Sequence, residues 1–150
     1  MAYQWQLIDN AFFVRWKKLS VADLERIASD LQNARKAQGK PIIYVAIMLA
    51  DLPVPSAAER QALTDFAAAV KDSLESAHLA MIGDSIKQSI QRTAITAVQW
   101  LMQRGSAQFE IHKSLDTVLR TVAPRMNRTP EDLARVLRTR GILDEQIPTA

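Results

Sequence analysis

The chain opens on two short runs in which apolar and polar residues alternate, one on each side of Asp9-Asn10. Alternation with a period of two is typical of strands, and Asp and Asn tolerate the backbone of a two-residue hairpin turn. The pattern therefore predicts antiparallel strands over residues 3–8 and 11–17. Their register would pair Leu7 with Phe12, Trp5 with Val14 and Tyr3 with Trp16 on one face, and Gln4 with Arg15 and Gln6 with Phe13 on the other.

After Ser20 the apolar period changes to that of a helix, which Ser20 and Asp23 can cap and Gly39 can end. The almost continuously apolar run PIIYVAIML, residues 41–49, predicts a central strand covered on both faces. The rest of the chain also alternates between helical and strand patterns. It predicts a helix from Ser56 that includes Leu74, a strand over 77–82 and a helix over 86–101 closed by Gly105. A strand over 107–112, a short helix from Ser114 to Pro124 and a last helix from Thr129 to Gly141 follow.

This order predicts an α/β fold with one mixed sheet. An N-terminal antiparallel hairpin would be followed by βα units with right-handed parallel crossovers, which leaves the first strand as an antiparallel edge. A further helix follows at the C-terminal end. Only the tail from Asp144 is expected to fray.

Composition is compatible with one domain spanning residues 1–150. The chain is 48% hydrophobic and 23% charged, has no cysteine, and lacks both a secretory leader and an apolar run long enough to span a membrane, so a cytoplasmic protein is expected. Its excess of basic residues is concentrated between Lys113 and Arg140, where seven Lys and Arg stand against three Asp and Glu. These basic residues are expected to lie on the solvent-exposed surface of a helix, and the alternative is that they bind an acidic partner.

The element order, with PIIYVAIML followed by a loop and a serine at the start of a helix, resembles the STAS domains, the anti-sigma-factor antagonist fold. It is most similar to the stand-alone bacterial branch, called SpoIIAA-like, that is grouped with lipid-binding SEC14-like domains. The resemblance covers about residues 3–123 and leaves 124–150 as a C-terminal helical extension. It implies a non-enzymatic regulatory module that binds a protein partner.

In the regulatory STAS proteins, a serine or threonine at the start of this helix is phosphorylated, and Ser56 is the matching position. The family places aspartate directly before that serine and glycine after it, whereas here LPVP separates Asp51 from Ser56, and Ala57-Ala58 follow. The motif SAAE also predicts a capping box in which Ser56 and Glu59 satisfy backbone N–H groups of the first turn. Ser56 is therefore a candidate phosphosite and a candidate helix cap.

The segment Gly83-Asp84-Ser85 resembles the nucleophile block of the GDSL hydrolases. A serine nucleophile needs a base, usually a histidine, and the D-x-x-H motif that supplies it in that family does not occur here. His78 and His112 begin and end their predicted strands, so we expect them at opposite edges of the sheet. Gly83, Asp84 and Ser85 are thus predicted to turn the chain and cap a helix, and to offer at most an anion or ligand site.

No catalytic residue, metal site or cofactor is predicted. The two histidines look isolated, and neither a phosphate-binding loop nor a dinucleotide fingerprint occurs in the chain. If no helix covers the hairpin face, its aromatic residues would form an interface, most simply in a homodimer, and a tryptophan off the stripe of the 86–101 helix could contribute. These interface candidates are Tyr3, Trp5, Trp16 and Trp100.

The expected function is a non-enzymatic STAS-like interaction module. The alternative is a SEC14-like protein that binds a small apolar ligand or lipid between the sheet and the helices that follow Ser56 and Gly83. A GDSL-type hydrolase and a nucleic-acid-binding protein come after these two, because the first lacks its base and the second has only the modest basic end.

Overall fold

The fold is a five-stranded mixed sheet with helices on both faces. The computed structural model describes residues 3–49, 53, 55–82 and 108–144. Its strands run side by side in chain order. The elements are β1 (Tyr3–Ile8), β2 (Ala11–Trp16), α1 (Val21–Gln38), β3 (Ile42–Leu49), α2 (Ala57–Val70), β4 (Leu74–Ile82), β5 (Gln108–His112), α3 (Leu115–Val122) and α4 (Pro130–Thr139), with short 3-10 turns at Lys71–Ser73 and Ala123–Met126.

The hairpin has the register that its alternating pattern predicts. Leu7 lies opposite Phe12, Trp5 opposite Val14 and Tyr3 opposite Trp16. Asp9 takes up the positive φ of the turn, 53°, and Asn10 donates a side-chain hydrogen bond to the carbonyl of Pro41, just before β3. The turn is therefore tied to the centre of the sheet. β1 is antiparallel to β2, and all later pairs are parallel, which confirms the predicted mixed sheet.

The central strand β3 is buried on both faces, as its continuous apolar sequence predicts. Side chains of Ile42, Tyr44, Ala46 and Met48 enter one core, while those of Ile43, Val45 and Ile47 enter the other. Helices α1 and α2 cover the first face, and α3 and α4 cover the second. We refer to these as the first core and the second core.

Capping residues start and end the helices where the sequence places them. Ser20 accepts a hydrogen bond from the backbone N–H of Asp23 at the start of α1, and Gly39 ends the helix with a left-handed φ of 70°. Ser114 and Thr129 cap α3 and α4 in the same way. The predicted helix over residues 86–101, with Gly105, lies outside the described residues.

The start of β4 was predicted wrongly. The strand begins at Leu74 rather than at residue 77, and α2 ends at Val70. Leu74 lies four residues after Val70, so a helical period includes it, but in the structure it pairs with Ile42 at the start of β3. The local pattern allowed both assignments, and pairing with the central strand decided between them.

The C-terminal segment packs against the second core. Ile142 and Leu143 are buried there, and Arg15 of β2 forms a salt bridge of 2.7 Å with Asp144. Asp144 is thus held by the sheet rather than frayed as expected, because it is the counter-ion of a buried guanidinium. Among the described residues, no helix is both long enough and apolar enough to cross a membrane.

Candidate functional site

Ser56 is the N-cap of α2 and forms the capping box that its sequence predicts. Its hydroxyl accepts a hydrogen bond of 3.1 Å from the backbone N–H of Glu59, whose carboxylate accepts one of 3.1 Å from the N–H of Ser56. Next to them, Arg60 donates to the carbonyl of Pro55. The side chain of Ser56 is exposed. Its position explains the serine as a cap and leaves its hydroxyl accessible from solvent.

Several predicted site residues lie outside the part of the chain that the structure describes. These are Gly83, Asp84 and Ser85, the candidate anion or ligand site, and Trp100, an interface candidate. Their proposed roles stay predictions.

The aromatic face of the hairpin is largely covered, which corrects the expectation of an open patch. Tyr3 and Trp16 are buried in the first core together with side chains of α1. They are not available as interface residues, because α1 and α2 pack against this face of the sheet. Trp5 differs, since 38% of its surface stays exposed. Its ring stacks on that of Phe12 with the centroids 4.8 Å apart and the planes 5° from parallel.

Trp5 lies on β1, which among the described strands is paired on one side only. A concave surface of about 280 Å³ lies beside this edge and is lined by Tyr3–Gln6 and Arg140–Ile142. Arg140 reaches across it and donates to the carbonyl of Leu7 at 3.4 Å. The edge strand therefore combines an exposed indole ring, outward-facing backbone groups and a neighbouring concavity.

A small apolar cavity lies in the first core. The cavity has a volume of about 50 Å³, and Trp16, Tyr44, Phe66 and Phe109 are among the side chains that line it. The indole of Trp16 donates a hydrogen bond of 3.4 Å to the Tyr44 hydroxyl. Burial raises the pKa of Tyr44 far above its usual range, so the phenol stays protonated.

His78 and His112 are in contact, and the prediction that they lie at opposite edges of the sheet was wrong. His78 Nδ1 is 3.2 Å from His112 Nε2. His78 lies in the middle of β4, because that strand starts earlier than predicted, and β5 pairs in parallel so that Ala80 faces His112. His78 and His112 are thus diagonal neighbours on the face of the second core, together with Glu110.

Burial keeps the two imidazoles neutral. It lowers the pKa of His78 to about 4, with further contributions from His112 and Arg125. The pKa of His112 is lowered by burial as well, and the carboxylate of Glu110 opposes this shift. Sequence reasoning missed this cluster, although the alternation in QFEIH already placed Glu110 and His112 on one face of a strand.

Much of the positive charge at the basic end is paired within the molecule. Arg128 contacts both Asp9 and Asp132, Arg135 contacts Asp132, and Arg120 contacts Asp116. The hydrogen bond with Asp9 is the largest cause of a raised pKa at Arg128. These contacts reduce the charge available to an acidic partner.

Comparison of the chain with protein-family models, with curated proteins and with solved structures found no match in any of the three. The resemblance to STAS domains therefore stays a hypothesis that rests on element order.

Proposed function

We propose that the protein is a non-enzymatic, STAS-like interaction module that binds a protein partner along the edge strand β1, and that a second copy of the chain is the simplest such partner. The observation that carries this proposal is the exposure of Trp5 on β1, the first strand in the order of the described strands and paired there on one side only. Trp5 and Val21 are the exposed large hydrophobic residues among those described, and of the two only Trp5 lies on the edge strand β1.

An edge strand offers two kinds of contact to a second strand. Its outward N–H and C=O groups can extend the sheet by main-chain hydrogen bonds, and alternate side chains give specificity. Tryptophan contributes strongly at interfaces because it buries a large rigid surface with little loss of rotamer entropy. In an arrangement with twofold symmetry, β1 would pair with its own copy, so each Trp5 would lose its exposed surface.

The non-enzymatic part of the proposal is supported by the surroundings of the described serines. Ser76 is the described serine whose hydroxyl contacts a histidine, at 2.9 Å from His78 Nε2, and it is fully buried on the sheet. Substrate could not reach it. Ser56 is accessible, but its recorded polar partner is the capping-box residue Glu59 rather than a base.

The regulatory part of the proposal assigns the switch to Ser56. A phosphate there would lie at the N-terminus of α2, where the helix dipole favours negative charge. It would also break the reciprocal contact with Glu59 and repel that carboxylate. Phosphorylation would thus rearrange the first turn of α2 on the exposed surface.

The SEC14-like alternative receives less support. Small-molecule sites usually occupy about 300–1,000 Å³. The apolar cavity between the sheet and α2 that the described residues line measures about 50 Å³, which is below this range. The helix predicted after Gly83, which would form the other wall of the expected pocket, lies outside the described residues.

Sedimentation analysis of three proteins tests the interaction proposal. The wild-type chain should dimerise at micromolar concentrations, and Trp5→Ala should weaken the dimer at least tenfold, because about 1.4 kcal/mol corresponds to a factor of ten and the loss of a buried indole exceeds it. Val21→Ala is the matched control, since Val21 is the other exposed large hydrophobic residue among those described and lies on α1 rather than on β1.

Circular dichroism should show that both variants stay folded, because Trp5→Ala also removes the stacking partner of Phe12. A wild-type protein that sediments as a monomer at high micromolar concentration would refute self-association through β1. Equal dimer affinities for Trp5→Ala and wild type would refute the assigned surface.

A further inference from the structure

Three metal-ligating side chains from two neighbouring strands converge over the second core. β4 and β5 pair in parallel with His78 opposite Glu110 and Ala80 opposite His112. Side chains two residues apart on a strand share a face, so His78, Glu110 and His112 all point to the side of α3. Their nearest ligand atoms all lie within 4.8 Å of one another.

The three ligand atoms form a triangle of the size that a small metal ion requires. Its edges measure 3.2 Å from His78 Nδ1 to His112 Nε2, 3.4 Å from His112 Nε2 to Glu110 Oε2 and 4.0 Å from His78 Nδ1 to Glu110 Oε2. In a tetrahedral zinc site with bonds of about 2.0–2.1 Å, two ligand atoms are about 3.3 Å apart. Two edges match this spacing, and the third exceeds it, so the carboxylate of Glu110 would have to move toward His78 when an ion binds.

We propose that His78, Glu110 and His112 bind a divalent transition-metal ion of the zinc class, through His78 Nδ1, His112 Nε2 and a carboxylate oxygen of Glu110. Two imidazoles and one carboxylate suit Zn²⁺ and its chemical relatives, whereas Mg²⁺ and Ca²⁺ prefer sites made of oxygen ligands. The site is independent of the proposed β1 interface, because β1 and β5 lie at opposite ends of the order of the described strands.

The outer nitrogen of each imidazole already has an orienting partner. His78 Nε2 lies 2.9 Å from the buried hydroxyl of Ser76, and His112 Nδ1 lies 3.2 Å from the hydroxyl of Thr117 in α3. Histidine ligands of metal ions almost always donate their second N–H to such a group, which fixes the ring and its tautomer. The arrangement therefore includes the hydrogen bonds that support metal ligands.

The contacts of the Thr117 hydroxyl favour one tautomer of His112. The carbonyl of Ser114, at 3.0 Å, accepts the single hydroxyl proton in either tautomer, which leaves the hydroxyl oxygen to accept from His112 Nδ1. His112 Nε2 thus carries a lone pair directed toward His78. Without metal, His78 has to donate from Nδ1 to that lone pair and accept from Ser76 at Nε2.

A bound metal ion would take the place of the proton between His78 Nδ1 and His112 Nε2. His78 Nδ1 then becomes a ligand, and its proton moves to Nε2, from which it is donated to Ser76. A purely structural contact between the two histidines needs no such change. The tautomer of His78 therefore distinguishes a metal site from a histidine pair that only stabilises the sheet.

Three protein ligands leave a fourth tetrahedral position for water or a small anion. The side chain of Glu110 is 45% exposed, whereas His78 is fully buried. The fourth position would thus be reached from the side of Glu110, at the β5 edge of the sheet.

The experiment is a titration of the full-length metal-free protein with ZnCl₂ by calorimetry, repeated with CoCl₂ and followed by visible absorption. We expect one ion per chain and the intense d–d absorption of tetrahedral Co²⁺. Glu110→Gln should lower the affinity at least a hundredfold, since it exchanges a charged ligand for a neutral amide. Glu75→Gln, an exposed carboxylate on β4, is the matched control and should bind like the wild type.

Two further variants test the surroundings of the site. Thr117→Val should lower the affinity about 10- to 100-fold, as expected when the orienting partner of a histidine ligand is lost. Arg125→Gln should raise it, because the positive charge of Arg125 acts on His78. All variants should keep the circular dichroism spectrum of the wild type.

Nitrogen-15 NMR of the histidine rings gives a second measurement that does not depend on a variant. Addition of Zn²⁺ should convert His78 from the Nδ1–H to the Nε2–H tautomer and leave His112 as Nδ1–H. Equal Zn²⁺ affinity in the wild type and Glu110→Gln, or an unchanged His78 tautomer at saturating Zn²⁺, would overturn the proposal.

Discussion

His78 is a titratable side chain in the middle of β4, on the sheet face that packs against the second core. It is fully buried, its Nε2 contacts Ser76 and its Nδ1 contacts His112. A charged imidazole at this position would lose its hydration without a paired carboxylate at hydrogen-bond distance, since Glu110 is 4.0 Å away. Folding therefore favours the neutral ring, and this preference links stability to pH.

We predict that metal-free protein, kept in a chelator, loses stability as the pH falls from about 6.5 to about 4. In this interval the unfolded chain protonates His78, whose pKa is near 6.5 there, while the folded state keeps it neutral down to about 4. The unfolded state binds more protons, so the free energy of unfolding decreases by up to about 1.4 kcal/mol per pH unit, or roughly 3 kcal/mol in all.

Urea unfolding at a series of pH values measures this dependence. His78→Gln should show a shallower slope in the same interval, whatever its absolute stability, because carboxylates contribute equally to both proteins. Identical slopes for the two proteins would contradict the assignment.

At the scale of elements, the start of α2 is set by local sequence. Pro55 cannot donate a backbone hydrogen bond, Ser56 adopts an extended backbone with ψ of 170°, and the Ser56–Glu59 capping box satisfies the first turn. The other three α-helices within the described residues, α1, α3 and α4, also begin after a Ser or Thr whose hydroxyl accepts a hydrogen bond from a backbone N–H. These helix starts depend on neighbouring residues alone, so the sequence predicts them correctly.

Ser56→Ala should lower the free energy of unfolding by about 0.5–2 kcal/mol, because it leaves backbone N–H groups of the first turn without their protein partner. Ser56→Asp should recover most of this loss, since aspartate caps well and its charge is favourable at a helix N-terminus. Chemical denaturation of the three proteins measures both effects.

Ser29→Ala is the control, because Ser29 is exposed within α1 and away from its ends, where alanine should change stability by less than about 0.5 kcal/mol. If Ser56 acts only as a cap, dimer affinity should not change in either variant. Altered dimer affinity in Ser56→Asp at unchanged stability would instead favour the regulatory role.

At the scale of the whole molecule, β3 joins the two cores. Its alternate side chains belong to the first and the second core, so neither core can be lost without exposing half of the central strand. α4 and Leu143 belong to the second core, and Asp144 pairs with Arg15 of β2. Residues 124–144 are therefore packed as part of the fold, although the STAS-like resemblance leaves them as an extension.

Leu137→Ala should destabilise the protein by about 2–5 kcal/mol, because Leu137 is fully buried in the second core. Tryptophan fluorescence, which includes Trp16 of the first core, and far-ultraviolet circular dichroism should show one coincident transition at lower denaturant. Thr139→Ala, at an exposed position of the same helix, is the control. Two separate transitions in Leu137→Ala would show that the cores unfold independently.

The sequence by itself determined the α/β class, the hairpin register, the central position of β3 and the helix caps. Each of these depends on residues that are close in the chain, or on a period of two or 3.6 that recurs within one element. A two-residue turn at Asp9-Asn10 allows one register, which places the alternating apolar residues of both arms on the same face, and Leu7 and Phe12 are paired accordingly.

Tertiary structure alone decided where β4 begins, which hairpin aromatic stays exposed and which polar side chains meet. Leu74 fits a helical and a strand period equally, and only its pairing with Ile42 selects the strand. Trp5 and Trp16 share one pattern, yet the packed helices bury Trp16 and leave Trp5 open. His78 and His112 are 34 residues apart, and their contact depends on the relative stagger of two parallel strands, which no local period encodes.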